Sequence, residues 1–443
     1  MIRRRSWFAL AFALMFFAQH ADADDSDVGV DLSKPLTLDK CIELALEESS
    51  DMRNARLDFA IQDLRVKNVR AQFLPQVLLG SQYRISDRVE FGFKRANYDV
   101  DVTGRYTLWD HGQRRANYLQ AKERRNSTEN RNERIKQGLI FQIIEAYYDV
   151  LKTRELVKVS KEILARSQEN TAATKVHVQV GNLIPADIAT SQVREANDEL
   201  SLLSNENALK IAEATLPRLM GLKPGTEVIL AKDSDFAAYL DSGEIEVTDM
   251  AVEEAIELSN ENRPEFKELS SLLAQLEADR KLAKLARLPQ LDADLSYAVN
   301  LDDYLHEREN FNEFRSWDFT TRLNFPIFDG GVIKRRIQEV DLSLNQTRED
   351  AKDLERSIAL EVRQAYLNLK RAERALDISG TQVRNAESSL EVIRGRFQQE
   401  LAFLLELLDA QTEYAQALTN QVRSFYDYKI ARSALQRAMG TLN

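Results

Sequence analysis

Few side chains in this sequence have the type and spacing that catalysis or metal binding requires. The histidines His20, His111, His177 and His306 are scattered, and the chain has no zinc-type spacing of ligands. A lone histidine on a helix, such as His177, is more often an ordinary surface residue than a ligand. Cys41 is the only cysteine and has no partner for an intrachain disulfide, so we expect a small core residue. The sequence predicts neither an enzyme nor a cofactor or metal site.

Two carboxylates are the other candidates. Glu406 and Asp409 are three residues apart, which places them one turn apart on the same face of a helix. On these residues alone, the simpler interpretation is that both are solvent-facing helix positions. The role of these two carboxylates depends on the helix in which they lie. That helix belongs to a unit that occurs twice in the chain.

The chain repeats itself in one register. Residues and short motifs of the first half recur 219 positions later in the second half. The matched segments are 110–112 with 329–331, 146–147 with 365–366, 192 with 411, 210–212 with 429–431 and 220–221 with 439–440. Such a register indicates one structural unit used twice. A duplicated shell builds a wall, a pore or a scaffold more readily than a single asymmetric active site.

The termini and the repeat divide the chain into four segments. Residues 1–23 read as a secretory signal peptide, with basic residues at 3–5, an apolar run over 7–17 and an A-x-A cleavage site ending at Ala23. The alternative is a membrane anchor helix, but spanning needs about 20 apolar residues. Residues 24–221 are the first repeat, 222–246 an inter-repeat linker or equatorial segment, and 247–443 the second repeat. The net charge of −11 disfavours nucleic acid as a partner.

Each repeat is predicted to run helix, strand pair, very long helix, turn and helix. Helical patterns over 36–73 and 247–287 stop before Pro75 and Pro289, because proline restricts the preceding residue to extended conformations. Beyond the strands, Asp110 and Asp329 are placed to cap the next helix. That helix continues for roughly 68 residues, or about 100 Å. Its apolar residues recur every seven positions, which predicts coiled-coil packing. The heptad positions are Ile143, Val150, Val157 and Leu164, then Val362, Leu369, Leu376 and Val383.

Between helices, the hydrophobic period changes to two. Apolar and polar residues alternate over 98–108, 291–299 and 317–325, and less regularly over 77–85. Such alternation is typical of strands with lipid on one side and water on the other. It is equally typical of a soluble sheet with one buried face. Trp109 and Phe328 at the strand ends favour the membrane, since aromatic residues are enriched at membrane interfaces. Four strands cannot close a barrel, so a barrel would be shared between subunits.

Together with the motif PIFDGG at Pro326–Gly331, these features resemble the TolC-like outer membrane efflux proteins over essentially the whole mature chain. The resemblance implies a mixed fold of α-helices and transmembrane β-strands, internally duplicated. Long coiled-coil helices would form an α-helical barrel, and four strands per protomer would form a 12-stranded β-barrel shared by a homotrimer. The expected location is the outer membrane, in contact with its lipid, with a helical tunnel in the periplasm.

The resemblance also implies roles for residues at the two hairpin turns. Asp187 matches an acidic residue of the tunnel entrance, and Glu406 and Asp409 match two acidic rings that narrow the closed tunnel. Phe397 and Ala402 stand where well-known members carry a tyrosine and an arginine that tie neighbouring hairpins together, so that latch is not expected here. An adaptor protein would dock on the tips, and these tip residues are Gly181, Asn182, Leu183, Glu400, Leu401 and Ala402.

The function that the resemblance implies is passive export. An energised inner-membrane transporter and a periplasmic adaptor would deliver cargo to the duct. The alternative that the sequence leaves open is a secreted or periplasmic coiled-coil scaffold with a small soluble sheet and no pore. The second hairpin is the expected gate and the first the expected fixed wall, because the two copies differ most at these turns.

Overall fold

The computed structural model describes residues 35–442, except 89–92, 232, 243–246, 248, 301–314 and 400. The predicted signal peptide and Glu400 therefore lie outside the described residues. The first repeat contains α1 (Leu38–Glu48), α2 (Ser50–Ala71), β1 (Gln76–Arg88), β2 (Phe93–Trp109), α3 (Gln113–Gln179) and α4 (Pro185–Leu219). Helix α5 (Ser234–Ser242) follows. The second repeat contains α6 (Val252–Asn262), α7 (Pro264–Leu285), β3 (Gln290–Asn300), β4 (Arg315–Asn324), α8 (Val332–Gln398) and α9 (Leu404–Ala438).

Helices α3 and α8 dominate the molecule. Each has 67 residues, and each begins and ends at equivalent positions of the repeat. At 1.5 Å per residue they are about 100 Å long. Six of the predicted heptad positions are buried, and they are Ile143, Val150, Val157, Val362, Leu369 and Leu376. The last predicted position of each helix, Leu164 or Val383, is only half-buried, so the apolar seams weaken towards the turns.

Each long helix is followed by a return helix of 35 residues, α4 or α9. Because the return is half as long, two shorter helices must cover the rest of each long helix. Near the sheet, α3 contacts α2 and α7 through pairs such as Asn132 with the Ala55 carbonyl and Gln120 with Asp279. Towards the turn it contacts α4 instead, where Asn205 donates to Ser160 at 2.7 Å.

The helices that precede the strands are broken, although the sequence predicted one helix over 36–73 and one over 247–287. The first helix breaks at Ser49, where the backbone is extended. The Ser49 hydroxyl caps α2 by accepting a hydrogen bond from the Met52 amide at 3.3 Å. The second breaks at Arg263, because Pro264 forces the residue before it out of the helical region. That single-helix prediction was wrong because it overlooked these two local signals.

The two breaks also show a second register. Ser49 corresponds to Arg263 and Gln76 to Gln290, an offset of 214 rather than 219 positions. The five additional residues of the second repeat are therefore inserted between the start of β3 and the start of α8. The helical hairpins keep the 219-residue register because their packing depends on it.

The segment 222–246, predicted as a linker or equatorial segment, contributes the described residues Leu230, Phe236 and Tyr239 to the core. Leu36 and Leu230 form a parallel β-bridge, and α5 packs on α9. The Phe236 ring lies 5.0 Å from the Phe425 ring, and the Tyr239 hydroxyl donates to the Leu376 carbonyl at 3.3 Å. Phe236 and Tyr239 are thus buried against the helices of the second repeat, and the division of the chain at 222–246 stays a prediction.

The four strands form one antiparallel sheet in the order β1-β2-β3-β4, with β1 and β4 at its edges. Residues paired across the sheet share a face. The row Leu79, Val102, Tyr297 and Trp317 belongs to an apolar face whose side chains are exposed, Leu79 by 76% and Trp317 by 74%. The row through Arg105 and Asp294 belongs to the polar face. The alternation predicted from the sequence is therefore that of a two-faced sheet.

Cys41 is fully buried in the core between α1 and α3, as predicted. Burial raises the pKa of its thiol to about 12, which keeps the thiol protonated and unreactive. None of the helices in the described ranges is long and apolar enough to cross a membrane.

Candidate functional site

The candidate site lies at the turns where α3 joins α4 and α8 joins α9, which we call the hairpin tips. At the first tip, Gly181 has φ 86°, a left-handed conformation that glycine adopts without strain. The His177 carbonyl accepts hydrogen bonds from the amides of Asn182 and Leu183, at 2.9 and 3.3 Å. Pro185 then opens α4, where its missing N–H is not needed.

The second tip closes by different contacts. The Leu401 amide donates to the Arg396 carbonyl at 2.8 Å, and the Arg396 guanidinium donates to the Leu401 carbonyl at 3.0 Å. Phe403, 79% exposed, precedes α9. Its side chain and that of Leu401 present apolar surface at the tip.

Asp187 and Glu406, both predicted at the constriction, occupy equivalent positions in the first turns of α4 and α9. The Asp187 carboxylate accepts a hydrogen bond from the Ile184 amide at 3.0 Å, and the Glu406 carboxylate accepts one from the Phe403 amide at 3.4 Å. Both therefore satisfy an amide that the helix leaves unpaired. A constriction role would come in addition to this capping role.

Asp409 lies one turn beyond Glu406, and its side chain is 62% exposed. Its carboxylate is 3.6 Å from the guanidinium of Arg194 on α4. The same guanidinium donates to the Leu408 carbonyl and to the Thr412 hydroxyl. Arg194 of the first hairpin thus contacts three groups of α9 within about one helical turn.

Two further contacts join the first hairpin to α9. The Asn170 side chain donates to the Gln411 side chain at 2.6 Å, and the Arg166 guanidinium lies 5.4 Å from the Tyr414 ring centre. We call Arg166, Asn170 and Arg194, with their partners on α9, the inter-hairpin clasp. It is polar and partly exposed, so it holds the hairpins together without a large apolar area.

A carboxyl group lies beside the clasp. Asp198 on α4 lines a small cavity together with Arg166, Ser167, Arg194 and Thr412. Burial raises the pKa of Asp198, while a hydrogen bond with Ser167 and the charge of Arg194 oppose the rise. Burial dominates, so the ionised form of this carboxyl is the less stable one in its folded environment.

The two tips enclose a cleft of about 430 Å³. Phe397 lacks the hydroxyl of the tyrosine that well-known family members carry at this position. Its ring packs edge to face against His177, with ring centres 6.0 Å apart. Ala402 and Leu183 also line the cleft. No tyrosine latch was expected at this position. The structure has an aromatic contact there instead, and it joins α3 to α8.

At the opposite end, Asp110 and Asp329 organise the turns from strand to long helix. The Asp110 carboxylate accepts hydrogen bonds from the amides of Gly112 and Arg114, both at 2.9 Å. Asp329 accepts them from Gly331 at 2.8 Å and Ile333 at 2.6 Å. The N-cap residues of α3 and α8 are Gly112 and Gly331. Asp110 and Asp329 therefore accept the amide hydrogen bonds from two residues before the N-cap, not from the N-cap itself as predicted.

These bonds affect both carboxyl groups. Burial opposes ionisation of Asp110, but the amide hydrogen bonds and Arg114 outweigh it and lower its pKa. The amides of Ile333 and Gly331 lower the pKa of Asp329. Both aspartates are therefore ionised at neutral pH, as caps at a helix N-terminus should be.

The polar face of the sheet is a second surface with defined chemistry. Asp294 on β3 lies 3.1 Å from Arg105 on β2 and 3.8 Å from Arg322 on β4. Asp292 accepts a hydrogen bond from Thr107 at 2.8 Å.

The described residues contain no group of histidine, cysteine and carboxylate side chains able to hold a metal ion. His111 stacks on Trp109, with ring centres 4.1 Å apart, and His177 lies at the first tip. These two histidines are at opposite ends of α3, so the fold does not bring them together.

Sequence reasoning missed the clasp. Arg194 corresponds by the repeat to Glu413, and Asp409 to Thr190, so the two copies differ in charge at these positions. Such a reversal between otherwise equivalent helices is the signal that would have drawn attention to Arg194.

Comparison with known proteins supplies the family. The model of the family described as outer membrane efflux protein matches residues 41–222 and 255–441. The chain is 23% identical over 415 residues to protein CyaE of Bordetella pertussis, covering 92% of this chain and 84% of that protein. It is 24% identical over 319 residues to outer membrane protein TolC of Vibrio cholerae, covering 69% of this chain and 68% of that one.

Solved structures share the fold. The chain superposes on the outer membrane protein VceC of Vibrio cholerae with a TM-score of 0.75 at 16% identity, covering 91% of this chain and 96% of that one. The MtrE outer membrane channel of Neisseria gonorrhoeae, solved in its open state, gives a TM-score of 0.78 at 19% identity, with coverage of 92% and 89%. The long helical hairpins and the four-stranded sheet are thus those of known channel proteins.

Proposed function

This chain belongs to the outer membrane efflux protein family, and we propose that three copies of it form a passive export duct through the outer membrane and the periplasm. The family is one of outer membrane channels, and the known channels that the chain resembles are not enzymes. The duct would supply a path rather than energy, with cargo driven by a partner in the inner membrane.

One observation carries the proposal: a four-stranded sheet with an exposed apolar face is joined to helices of about 100 Å. The smallest single-chain membrane barrels have about eight strands, so four strands need partners. The edge strands β1 and β4 would pair with those of neighbouring copies, and three copies would give 12 strands. The apolar face would then meet lipid and the polar face would line the lumen.

The hairpin tips would form the periplasmic end of the duct. Asp187, Glu406 and Asp409 would each occur three times around the axis, and rings of carboxylates attract cations and resist anions. We propose that the second hairpin opens the duct by moving away from the first. The inter-hairpin clasp supports this role, because it joins the two hairpins by polar contacts that break at a small cost in buried area.

Partners would bind at the tips. The residues Gly181, Asn182 and Leu183 of the first tip and Leu401 and Ala402 of the second surround the cleft or border it. Exposed apolar side chains such as Phe403 and Ile184 offer a surface for a periplasmic adaptor, which would connect the duct to an inner-membrane transporter. We also propose Glu400, which lies outside the described residues, as an adaptor contact.

Fractionation and chemical crosslinking test the assembly. The duct requires detergent to release the protein from the outer membrane and a crosslinked product of three subunits. A periplasmic coiled-coil scaffold would instead appear in the soluble fraction and need no detergent. Detection of a soluble monomer after gentle lysis would contradict the proposal.

A further inference from the structure

Exposed basic residues lie where the helices meet the sheet, and six of them occupy equivalent positions in the two repeats. We call them the basic belt, and they are Lys67, Arg70, Arg115, Lys281, Lys284 and Lys334. Lys67 and Arg70 are in the last turns of α2, and Arg115 is in the first turn of α3. Each lies within about one helical turn, or ~6 Å along the helix, of the helix end that is joined to a strand. The belt therefore marks one level of the molecule, in a chain whose net charge is −11.

Both repeats carry the belt. Lys67 corresponds to Lys281 and Arg70 to Lys284 in the 214-residue register, and Arg115 corresponds to Lys334 in the 219-residue register. Neighbouring positions differ between the repeats, since Phe73 corresponds to Arg287 and Arg114 to Ile333. The positive charge is thus retained at three positions while adjacent positions have changed in type.

The belt is poor in ion pairs. Some exposed cations of α3 and α8 pair with a carboxylate one turn away, as Lys158 does with Glu155 and Lys352 with Glu349. In the belt, Lys67 pairs with Asp63 at 2.8 Å. The other five belt residues have no carboxylate of a described residue within ion-pair distance. Unpaired cations at one level favour an external anion there.

An apolar cleft adjoins the belt in the first repeat. It has a volume of about 600 Å³ and lies between α2 and α3. Its lining combines Lys67 and Arg70 with Phe73, Leu74 and Tyr118. Leu74 is exposed, and the exposed residues Val77 and Leu79 on the apolar face of β1 continue from it. Cationic groups therefore lie at one end of an apolar strip that follows the sheet.

We infer that the basic belt binds the phosphate groups of anionic phospholipids in the leaflet facing the helices, with an acyl chain against Leu74, Val77 and Leu79. The inference rests on the proposed function, because the sheet must lie in the membrane. Basic residues at the membrane surface attract anionic lipids at about 1 kcal/mol each, roughly fivefold in affinity. Free phosphate has no apolar part that could bind the apolar strip. A phospholipid has both a phosphate group and acyl chains, so it fits the surface better.

Native mass spectrometry of the detergent-solubilised full-length trimer tests the inference. The protein is offered equal amounts of phosphatidylglycerol and phosphatidylethanolamine with the same acyl chains. We expect phosphatidylglycerol to be retained at least about fivefold more. The preference should fall as salt rises before transfer to the spectrometer, because salt screens exposed charges.

Variants locate the site. Replacing all six belt residues with Gln should abolish the preference, and the pair Arg70→Gln and Lys284→Gln should reduce it about fivefold or more. The matched control removes the same charge from exposed cations elsewhere and should retain the preference. Its substitutions are Lys40→Gln, Lys158→Gln, Lys161→Gln, Arg348→Gln, Lys352→Gln and Arg356→Gln.

The outcomes separate the inference from the proposed function. Equal retention of both lipids by the wild-type trimer, or an undiminished preference in the Arg70→Gln and Lys284→Gln pair, overturns the inference and leaves the duct intact. A wild-type protein that forms no trimer or does not partition into membranes contradicts the proposed function instead. If the six-residue variant does not assemble, the lipid preference of the wild-type trimer still tests the inference.

Discussion

The guanidinium of Arg194 on α4 lies 3.6 Å from the carboxylate of Asp409 on α9, so an ion pair joins the first hairpin to the second. The repeat gives this pair no counterpart, because Thr190 and Glu413 occupy the equivalent positions. One of the two carboxylates predicted to narrow the tunnel is therefore bound by the neighbouring hairpin. Arg194 therefore adds polar contacts to the apolar packing that holds α9.

Replacing Arg194 with Gln should widen the periplasmic end of the duct. The variant loses the ion pair to Asp409 and weakens the bonds to Leu408 and Thr412, so α9 is held less firmly. We expect a severalfold rise in single-channel conductance in planar bilayers. The control is Arg154→Gln, which removes an ion pair to Glu213 within the first hairpin and should leave conductance as in the wild type. If the two variants have equal conductance, the clasp does not take part in gating.

The variant Glu406→Ala with Asp409→Ala should raise conductance and weaken block by multivalent cations, because carboxylate rings concentrate cations at the constriction. The matched control is Glu413→Ala, an exposed carboxylate one turn further along α9. Titration of channel block with a trivalent cation measures the effect. If the double variant and the control are blocked alike, Glu406 and Asp409 do not line the narrowest part.

The caps of the return helices should be measurable separately from any constriction. Asp187→Ala removes the acceptor of the Ile184 amide and should cost about 1 kcal/mol of stability, seen as a lower thermal midpoint of helical circular dichroism. Glu199→Ala, an exposed carboxylate within α4, is the control and should change stability by about 0.5 kcal/mol or less. A midpoint unchanged by Asp187→Ala would argue against the cap.

Asp198 should make stability depend on pH in one direction. Burial raises the pKa of this carboxyl above 3.8 in the folded protein, so its ionisation destabilises the fold as pH rises through the folded value. Asp198→Asn should therefore gain thermal stability relative to wild type at neutral pH, and the gain should shrink as pH falls towards 4.

A second aspartate provides the comparison of opposite sign. The hydrogen bond from Lys67 lowers the pKa of Asp63, so its stabilising contribution is present above pH 3.8 and is lost below it. Asp63→Asn should lose stability at neutral pH, with the loss shrinking in acid. Thermal midpoints of both variants that shift in the same direction would contradict the assignment for Asp198.

Gly221, where α4 ends, should tolerate alanine poorly. Its φ of 82° is strained for other residues, and an added Cβ would clash with the Glu48 carbonyl group. Gly225 has φ 88° and open space around it, so Gly225→Ala isolates the backbone cost of about 1 kcal/mol. Gly221→Ala should lower the thermal midpoint further than Gly225→Ala. Equal shifts would mean that the contact with α1 relaxes easily.

The regular parts of the fold could be predicted because local patterns determine them. The heptad around Val362 and Leu369 predicted the long helices, the alternation around Tyr297 predicted the strands, and the family resemblance is confirmed. The break at Arg263 was predictable in principle, because Pro264 is a local signal. It was missed because the apolar spacing continues on both sides of the break.

The clasp and the packing of α5 depend on contacts that sequence spacing does not reveal. Arg194 and Asp409 are 215 positions apart, and nothing local indicates that their helices touch. Phe236 lies in a segment without a regular period, yet it is buried against Phe425. The roles of Asp187, Glu406 and Asp409 in a constriction remain predictions, because they depend on how three copies meet.

Planar-bilayer recording of the purified wild-type trimer tests the central claim most directly. An export duct predicts discrete, uniform conductance steps that favour cations and that increase severalfold in Arg194→Gln. A membrane-inserted trimer that passes no current, either as wild type or as Arg194→Gln, would contradict the duct.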